Sequence, residues 1–107
     1  MKKIDKTSVR LLKEAHSMAT DLHKVGALDI TTMREFDALC LTETPKLSVT
    51  EIKSIRRHAK ISQPVFARII NVSLAAVKQW ERGERKPTGA SLKLLNLIKN
   101  KGIEAVL

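Results

Sequence analysis

Residues Ile61–Pro87 read ISQPVFARIINVSLAAVKQWERGERKP, and this stretch decides the fold. Ser62 stands where a helix N-cap belongs, with Pro64 in the first turn, where its missing N–H costs nothing. The helix it opens is short and ends near Ile70. Asn71-Val72-Ser73 makes a three-residue turn, Ser73 is placed to cap a second helix running to Arg82, and Gly83 terminates that helix. Phe66, Ala67 and Ile70 in the first helix and Val77 and Trp80 in the second fall at spacings that bury them together. Ala67 is small where two helices approach closely. Leu74, Ala75, Lys78 and Gln79 are left pointing outward.

Working outward, Ser48-Val49-Thr50-Glu51 forms a capping box, and Ile52, Ile55 and Ala59 supply the apolar face of a helix to about Lys60. On the other side, Lys86-Pro87-Thr88-Gly89 restarts the chain. Leu92, Leu95 and Ile98 then mark a further helix that stops near Gly102. Four short helices in so short a segment make a small all-α bundle. The N-terminal side differs. From Thr7 to about Lys24, Val9, Leu12, Ala15, His16, Ala19 and Leu22 recur at helical spacing, with Gly26 as a stop, so one amphipathic helix is expected. Leu28–Leu41 has no clear period and reads as short strand, extended arm or helical turn. Residues 42–46, TETPK, read as a linker, which divides the chain into residues 1–46 and a domain over 47–107.

The charge separates along the same line. The whole chain carries 20 Lys and Arg against 11 Asp and Glu, a net of +9. Residues 1–47 hold 8 basic and 7 acidic groups, a net of +1, whereas 48–107 hold 12 and 4, a net of +8. A polyanion, nucleic acid first, is the partner such a balance predicts for the second half. Two short helices joined by a tight turn place the second in a DNA major groove while the first braces it across the backbone. Cys40 is the only cysteine, so no intramolecular disulfide can form. His16, His23 and His58 with Cys40 show no metal-ligand spacing and are read as surface residues; no carboxylate pair or glycine-rich phosphate loop points to catalysis. No metal and no cofactor is expected. No apolar run is long enough to span a bilayer and the Met1-Lys2-Lys3 start lacks a signal-peptide core, so a cytoplasmic protein without a membrane partner is expected.

The same Ile61–Pro87 stretch resembles the Cro/phage-repressor (XRE) family of helix-turn-helix proteins. The resemblance covers roughly Val49 to Asn100. It is carried by Ser62-Gln63, Asn71-Val72-Ser73, and Trp80-Glu81-Arg82-Gly83 followed by Arg85-Lys86-Pro87. It implies a lambda-repressor-like helix-turn-helix bundle, here preceded by the N-terminal helix and arm, that binds operator DNA. It further implies that Gln63 and Ser73 bind phosphates at the two helix N-termini, and that Leu74, Ala75, Lys78 and Gln79 face base edges. Gln79 would contact adenine in bidentate fashion, and Leu74 and Ala75 suit thymine methyl groups. Arg82, Arg85 and Lys86 would clamp the DNA backbone. An Arg56–Glu81 ion pair is the structural feature the family pattern implies.

The N-terminal helix, the Trp80-Glu81-x-Gly83-x-x-x-Pro87 ending and the Gly89-to-Leu97 run also resemble HigA-type antitoxins. On that resemblance residues 1–41 would neutralise a RelE/HigB-like mRNA-cleaving toxin, with Leu12, Leu22, Phe36, Leu39 and Leu41 as contact residues. The residues themselves leave dimerisation or packing into one core open for this segment, and leave open a phage-type or operon-specific regulator without a toxin. A homodimer is expected, because palindromic operators match two-fold protein symmetry. Leu94, Leu97, Ile98, Ile103, Val106 and Leu107 exceed what one small core needs and are read as its interface.

Overall fold

The computed structural model describes residues 6–107. The basic start, Met1-Lys2-Lys3, lies outside the described residues. The chain falls into two compact units, one ending at Glu43 and one spanning Thr44–Leu107. All regular structure among the described residues is helical.

The first unit is a pair of helices, α1 (Lys6–Lys24) and α2 (Ile30–Leu39). The ambiguous stretch Leu28–Leu41 is thus mostly helix, and the extended segment is confined to residues 41–48. Two features decide it. Asp29 accepts a hydrogen bond from the Thr32 backbone N–H at 2.9 Å, which caps the helix. Met33 is buried against α1, so tertiary packing outweighs the weak propensity of Thr31 and Thr32. Ala19 and Met33 are the buried apolar residues of this unit among those described.

With so little buried surface, polar clasps hold the two helices together. His16 Nε2 lies 2.6 Å from Asp37 Oδ1, and Arg34 donates to the other oxygen of Asp37 at 2.8 Å. Cys40 Sγ donates to the Leu12 carbonyl at 3.2 Å, and His23 Nδ1 lies 2.8 Å from the Leu28 carbonyl. The expectation of surface histidines therefore fails for His16 and His23, which are half-buried and hydrogen-bonded, and holds for His58. Periodicity along one helix does not report a partner 21 residues away.

The second unit comprises α3 (Val49–His58), α4 (Gln63–Ile70), α5 (Leu74–Arg82), α6 (Gly89–Lys101) and a terminal 3₁₀ turn (Ile103–Val106). Its core gathers Leu47, Ile52, Ile55, Phe66, Ala67, Ile70, Val77, Trp80, Leu95 and Ile98. Complete burial of side chains such as Phe66 and Val77 is worth about 1.5–3 kcal/mol each. The capping box at the start of α3 closes in both directions, Ser48 and Glu51 each accepting the other's backbone N–H at 3.1 Å. The segment read as a linker is tied down at its end. Leu47 enters the core, and the Pro45 carbonyl accepts from the buried Asn96 side chain at 2.9 Å.

The C-terminal apolar residues read as a dimer surface are largely used inside this unit. Ile98 belongs to the core, and Leu94, Ile103 and Val106 pack against it. Gly102, at φ 88, breaks α6 and folds the final turn back onto the domain. Leu107 alone of the six is fully outside. No helix among the described residues is long and apolar enough to cross a membrane.

Candidate nucleic-acid interface

The α4–α5 pair is built by four local signals. Ser62 caps α4, accepting from the Val65 N–H at 3.4 Å, with Pro64 in the first turn. Asn71 ends α4 in the left-handed conformation (φ 58, ψ 49), which Asn tolerates better than most residues. The Val72 N–H then reaches back to the Ala67 carbonyl at 2.9 Å. Ser73 caps α5 through the Ala76 N–H at 3.0 Å, and Gly83 (φ 76) ends it, a position where any side chain would be strained. Val77 and Trp80 face Phe66, Ala67 and Ile70 in one core, which fixes the second helix on the first.

None of the residues expected at the DNA belongs to this core. Ala75 and Lys78 are exposed, and Gln79 is half-buried at the edge of the same face. Leu74 is half-buried, in a shallow depression with Pro64, Val65, Ala67, Arg68 and Val72, so packing accounts for part of this side chain. Ser73 is exposed at the N-terminus of α5 and Gln63 half-buried at that of α4, where unpaired backbone N–H groups favour an anion. Arg85 and Lys86 are exposed just beyond α5. Arg82 is also exposed, but its Nε lies 3.2 Å from Glu84 Oε1. That pair is solvated and worth at most about 1 kcal/mol, so a phosphate can replace Glu84. The acidic residue two positions on was the signal that sequence reading passed over.

Behind this face, Arg56 of α3 and Glu81 of α5 form a bidentate pair, Nε–Oε2 2.8 Å and Nη2–Oε1 2.9 Å. Arg56 Nη1 also donates to the Ile61 carbonyl at 3.1 Å, ahead of the cap of α4. One guanidinium thus ties α3, the turn before α4, and α5. The Arg56 hydrogen bonds hold the Glu81 carboxyl below its ordinary value against the opposing effect of burial, with smaller contributions from Gln63 and Lys53. Glu81 reciprocally raises the Arg56 guanidinium. An acidic residue inside a basic surface is therefore turned inward, where it does not repel DNA.

Comparison with known proteins agrees with this geometry. A family profile described as "Helix-turn-helix" matches residues 52–96. The chain is 45% identical over 51 residues to the uncharacterized HTH-type transcriptional regulator YiaG of Escherichia coli K12, a match covering 48% of this chain and 53% of that protein. It thus spans about half the length of the YiaG relatives. It is 34% identical over 76 residues to antitoxin HigA-2 of Vibrio cholerae, covering 71% of this chain and 69% of the relative. Against the HTH-type transcriptional regulator DicA of Escherichia coli K12 the identity is 37% over 57 residues, 52% of this chain and 42% of the relative. With the α4–α5 geometry and these relatives together, the chain belongs to the Cro/phage-repressor (XRE) family of helix-turn-helix DNA-binding transcriptional regulators.

Proposed function

We propose that this protein is a transcriptional repressor that binds its operator as a homodimer, with α5 in the major groove, and that its first unit neutralises a RelE/HigB-like mRNA-cleaving toxin. The DNA half of the reading rests on one observation. Ala75, Lys78 and Gln79 share the outer face of a helix whose inner face is locked by Val77, Trp80 and Glu81. The locked face makes the outer one rigid, as base readout requires. Gln79 reads adenine, Ala75 contacts a thymine methyl, and Lys78 reaches a guanine or a phosphate. Gln63, Ser73, Arg82, Arg85 and Lys86 set register on the backbone.

The toxin half is supported by the antitoxin relative, whose match extends over 71% of this chain, beyond the DNA-binding domain. Of the contact residues expected from sequence, Leu22, Leu39 and Leu41 are exposed, whereas Leu12 and Phe36 are half-buried. The second reading is a regulator without a toxin. YiaG and DicA favour it, since their matches cover only about half of this chain.

The test is a mobility-shift titration on DNA from upstream of the protein's own gene, followed by co-purification with the product of the adjacent reading frame. Full-length protein that shifts DNA and retains the partner, beside a form starting at Leu47 that shifts DNA and loses the partner, supports both halves. DNA binding without a retained partner leaves the plain regulator. Absence of any operator shift by folded protein overturns the DNA reading.

A further inference from the structure

Two large apolar side chains of the DNA-binding unit are strongly exposed among the described residues, Val65 at 46% and the terminal Leu107. Val65 lies in the first turn of α4. It borders a shallow depression of about 440 Å³ whose other walls are Pro64, Ala67, Arg68, Val72 and Leu74. The depression therefore has an apolar floor and a single charged wall residue, Arg68. Pro64 and Arg68 are four residues apart on α4, so they share one side of the helix. Arg68 is exposed, and among the described residues its side chain makes no ion pair or hydrogen bond. Arg10, Arg34, Arg56 and Arg82, by contrast, each lie within 4.0 Å of a carboxylate. No Asp or Glu occurs between Glu51 and Glu81, so α4 carries no counterion of its own.

We propose that this depression is a subsite for one sugar–phosphate unit of the DNA backbone, the deoxyribose resting on Val65 and Leu74 and the phosphate held by Arg68. Position selects this occupant. Gln63 adjoins the depression at the start of α4, and Ser73 precedes Leu74 at the start of α5. A strand held at both Gln63 and Ser73 passes over the ground between them. Charge agrees, because an unpaired guanidinium matches the geometry of a phosphate. Backbone N–H groups at this end of α4 are scarce, since Pro64 has none and that of Val65 is taken by Ser62 at 3.4 Å. A side-chain cation supplies what they lack. Leu74, which packing half-buries, then serves the sugar, while Ala75, Lys78 and Gln79 serve the bases. The inference rests on the DNA reading of the proposed function and adds Val65 and Arg68 to its backbone contacts.

Mobility shifts of the full chain at several salt concentrations test it, on DNA from upstream of the gene and on a scrambled duplex, with Arg85→Ala as the reference for a backbone contact. Arg68→Gln should weaken binding to both duplexes alike and lower the slope of log K against log salt by about one, so that its fold-loss shrinks roughly threefold between 50 and 200 mM salt. Val65→Thr should cost about fourfold on both duplexes, the worth of one methyl group no longer buried, with the slope unchanged. Both side chains are exposed, so both variants should melt with wild type. Duplexes carrying one neutral methylphosphonate at successive backbone positions locate the contact: wild type should lose affinity at a position to which Arg68→Gln is indifferent. A slope in Arg68→Gln equal to wild type, beside a lowered one in Arg85→Ala, overturns the subsite and leaves the DNA reading standing, as expected where a protein docks on the depression instead. A lowered slope in Arg68→Gln with Val65→Thr indistinguishable from wild type overturns the seat for the sugar. Folded wild type that shifts neither duplex removes the DNA reading and the subsite together.

Discussion

The Arg56 guanidinium on α3 and the Glu81 carboxylate on α5, 25 residues apart, share two parallel hydrogen bonds, with Glu81 only 5% exposed. Such a pair repays its desolvation only while both partners are present. Glu81→Ala or Arg56→Ala should therefore destabilise the DNA-binding unit by about 3–5 kcal/mol, whereas an apolar pair such as Arg56→Met with Glu81→Leu should recover much of the loss. Thermal unfolding of the two single variants and the double variant checks this. Equal and additive losses would show that the two charges do not act on each other.

The same pair sets an acid limit. Glu81 has its pKa lowered in the folded state, so its contribution is complete above its ordinary value near 4.5 and is lost as pH falls through the lower, folded value. Urea midpoints measured from neutral pH downward should fall more steeply below about pH 4.5 in wild type than in the apolar double variant. Parallel curves for the two proteins would assign the acid loss to other carboxylates.

At the DNA, contacts to bases and to phosphates should separate by salt and by sequence. Gln79→Ala should cost about 1–3 kcal/mol on the cognate operator and flatten the preference at one A·T pair. Arg85→Ala and Lys86→Ala should weaken binding on all sequences alike, and each should reduce the slope of log K against log salt by about one. Titrations at several salt concentrations on the operator and on scrambled DNA distinguish the two behaviours. A Gln79 variant that loses affinity equally on both DNAs would remove this residue from base readout.

What could be read from sequence follows the range of the interactions. Caps at Ser48, Ser62 and Ser73 and stops at Asn71 and Gly83 act within a few residues, so local reading placed α3 to α5 to within two residues at each end. Helix α2 escaped because its decisive contacts, Met33 on α1 and Asp37 on His16, are distant in sequence and its own pattern carries two threonines. Arg56 and Glu81 were coupled only through a family pattern, since nothing local in either helix names the other. Near the C-terminus, Ile98 enters the core and the half-buried Leu94, Ile103 and Val106 pack against it, which a linear count does not reveal because it depends on Gly102 turning the tail back.

In the first unit, Asp37 is held below its ordinary value by hydrogen bonds from His16 first and Arg34 second. A depressed carboxyl contributes stability above its unfolded value and loses it as pH falls through the folded one, so the α1–α2 pair should loosen in acid. Asp37→Asn should loosen it at neutral pH as well. Amide hydrogen exchange across Ile30–Leu39 reports the change directly. Protection in α2 that is the same in wild type and Asp37→Asn would mean that Met33 and Ala19 hold the helices without the polar clasp.

Asn96 is a polar side chain on the inner side of α6, between the core residues Leu95 and Ile98. Its amide donates to the Pro45 carbonyl at 2.9 Å and to the Leu92 carbonyl at 3.0 Å. The first bond pins the chain as it enters the domain, just before Leu47 is buried. Asn96→Leu keeps the volume but leaves the Pro45 carbonyl without its side-chain donor, an expected loss of about 1–3 kcal/mol if that carbonyl stays buried. The cheaper response is for residues 44–46 to lift off into water, since Pro45 and Lys46 are already exposed. The variant should then show a smaller drop in melting temperature than a core substitution such as Phe66→Ala, which costs about 3–5 kcal/mol. It should also be cleaved faster by trypsin after Lys46. A variant as resistant as wild type at Lys46 would mean that Leu47 alone anchors the segment.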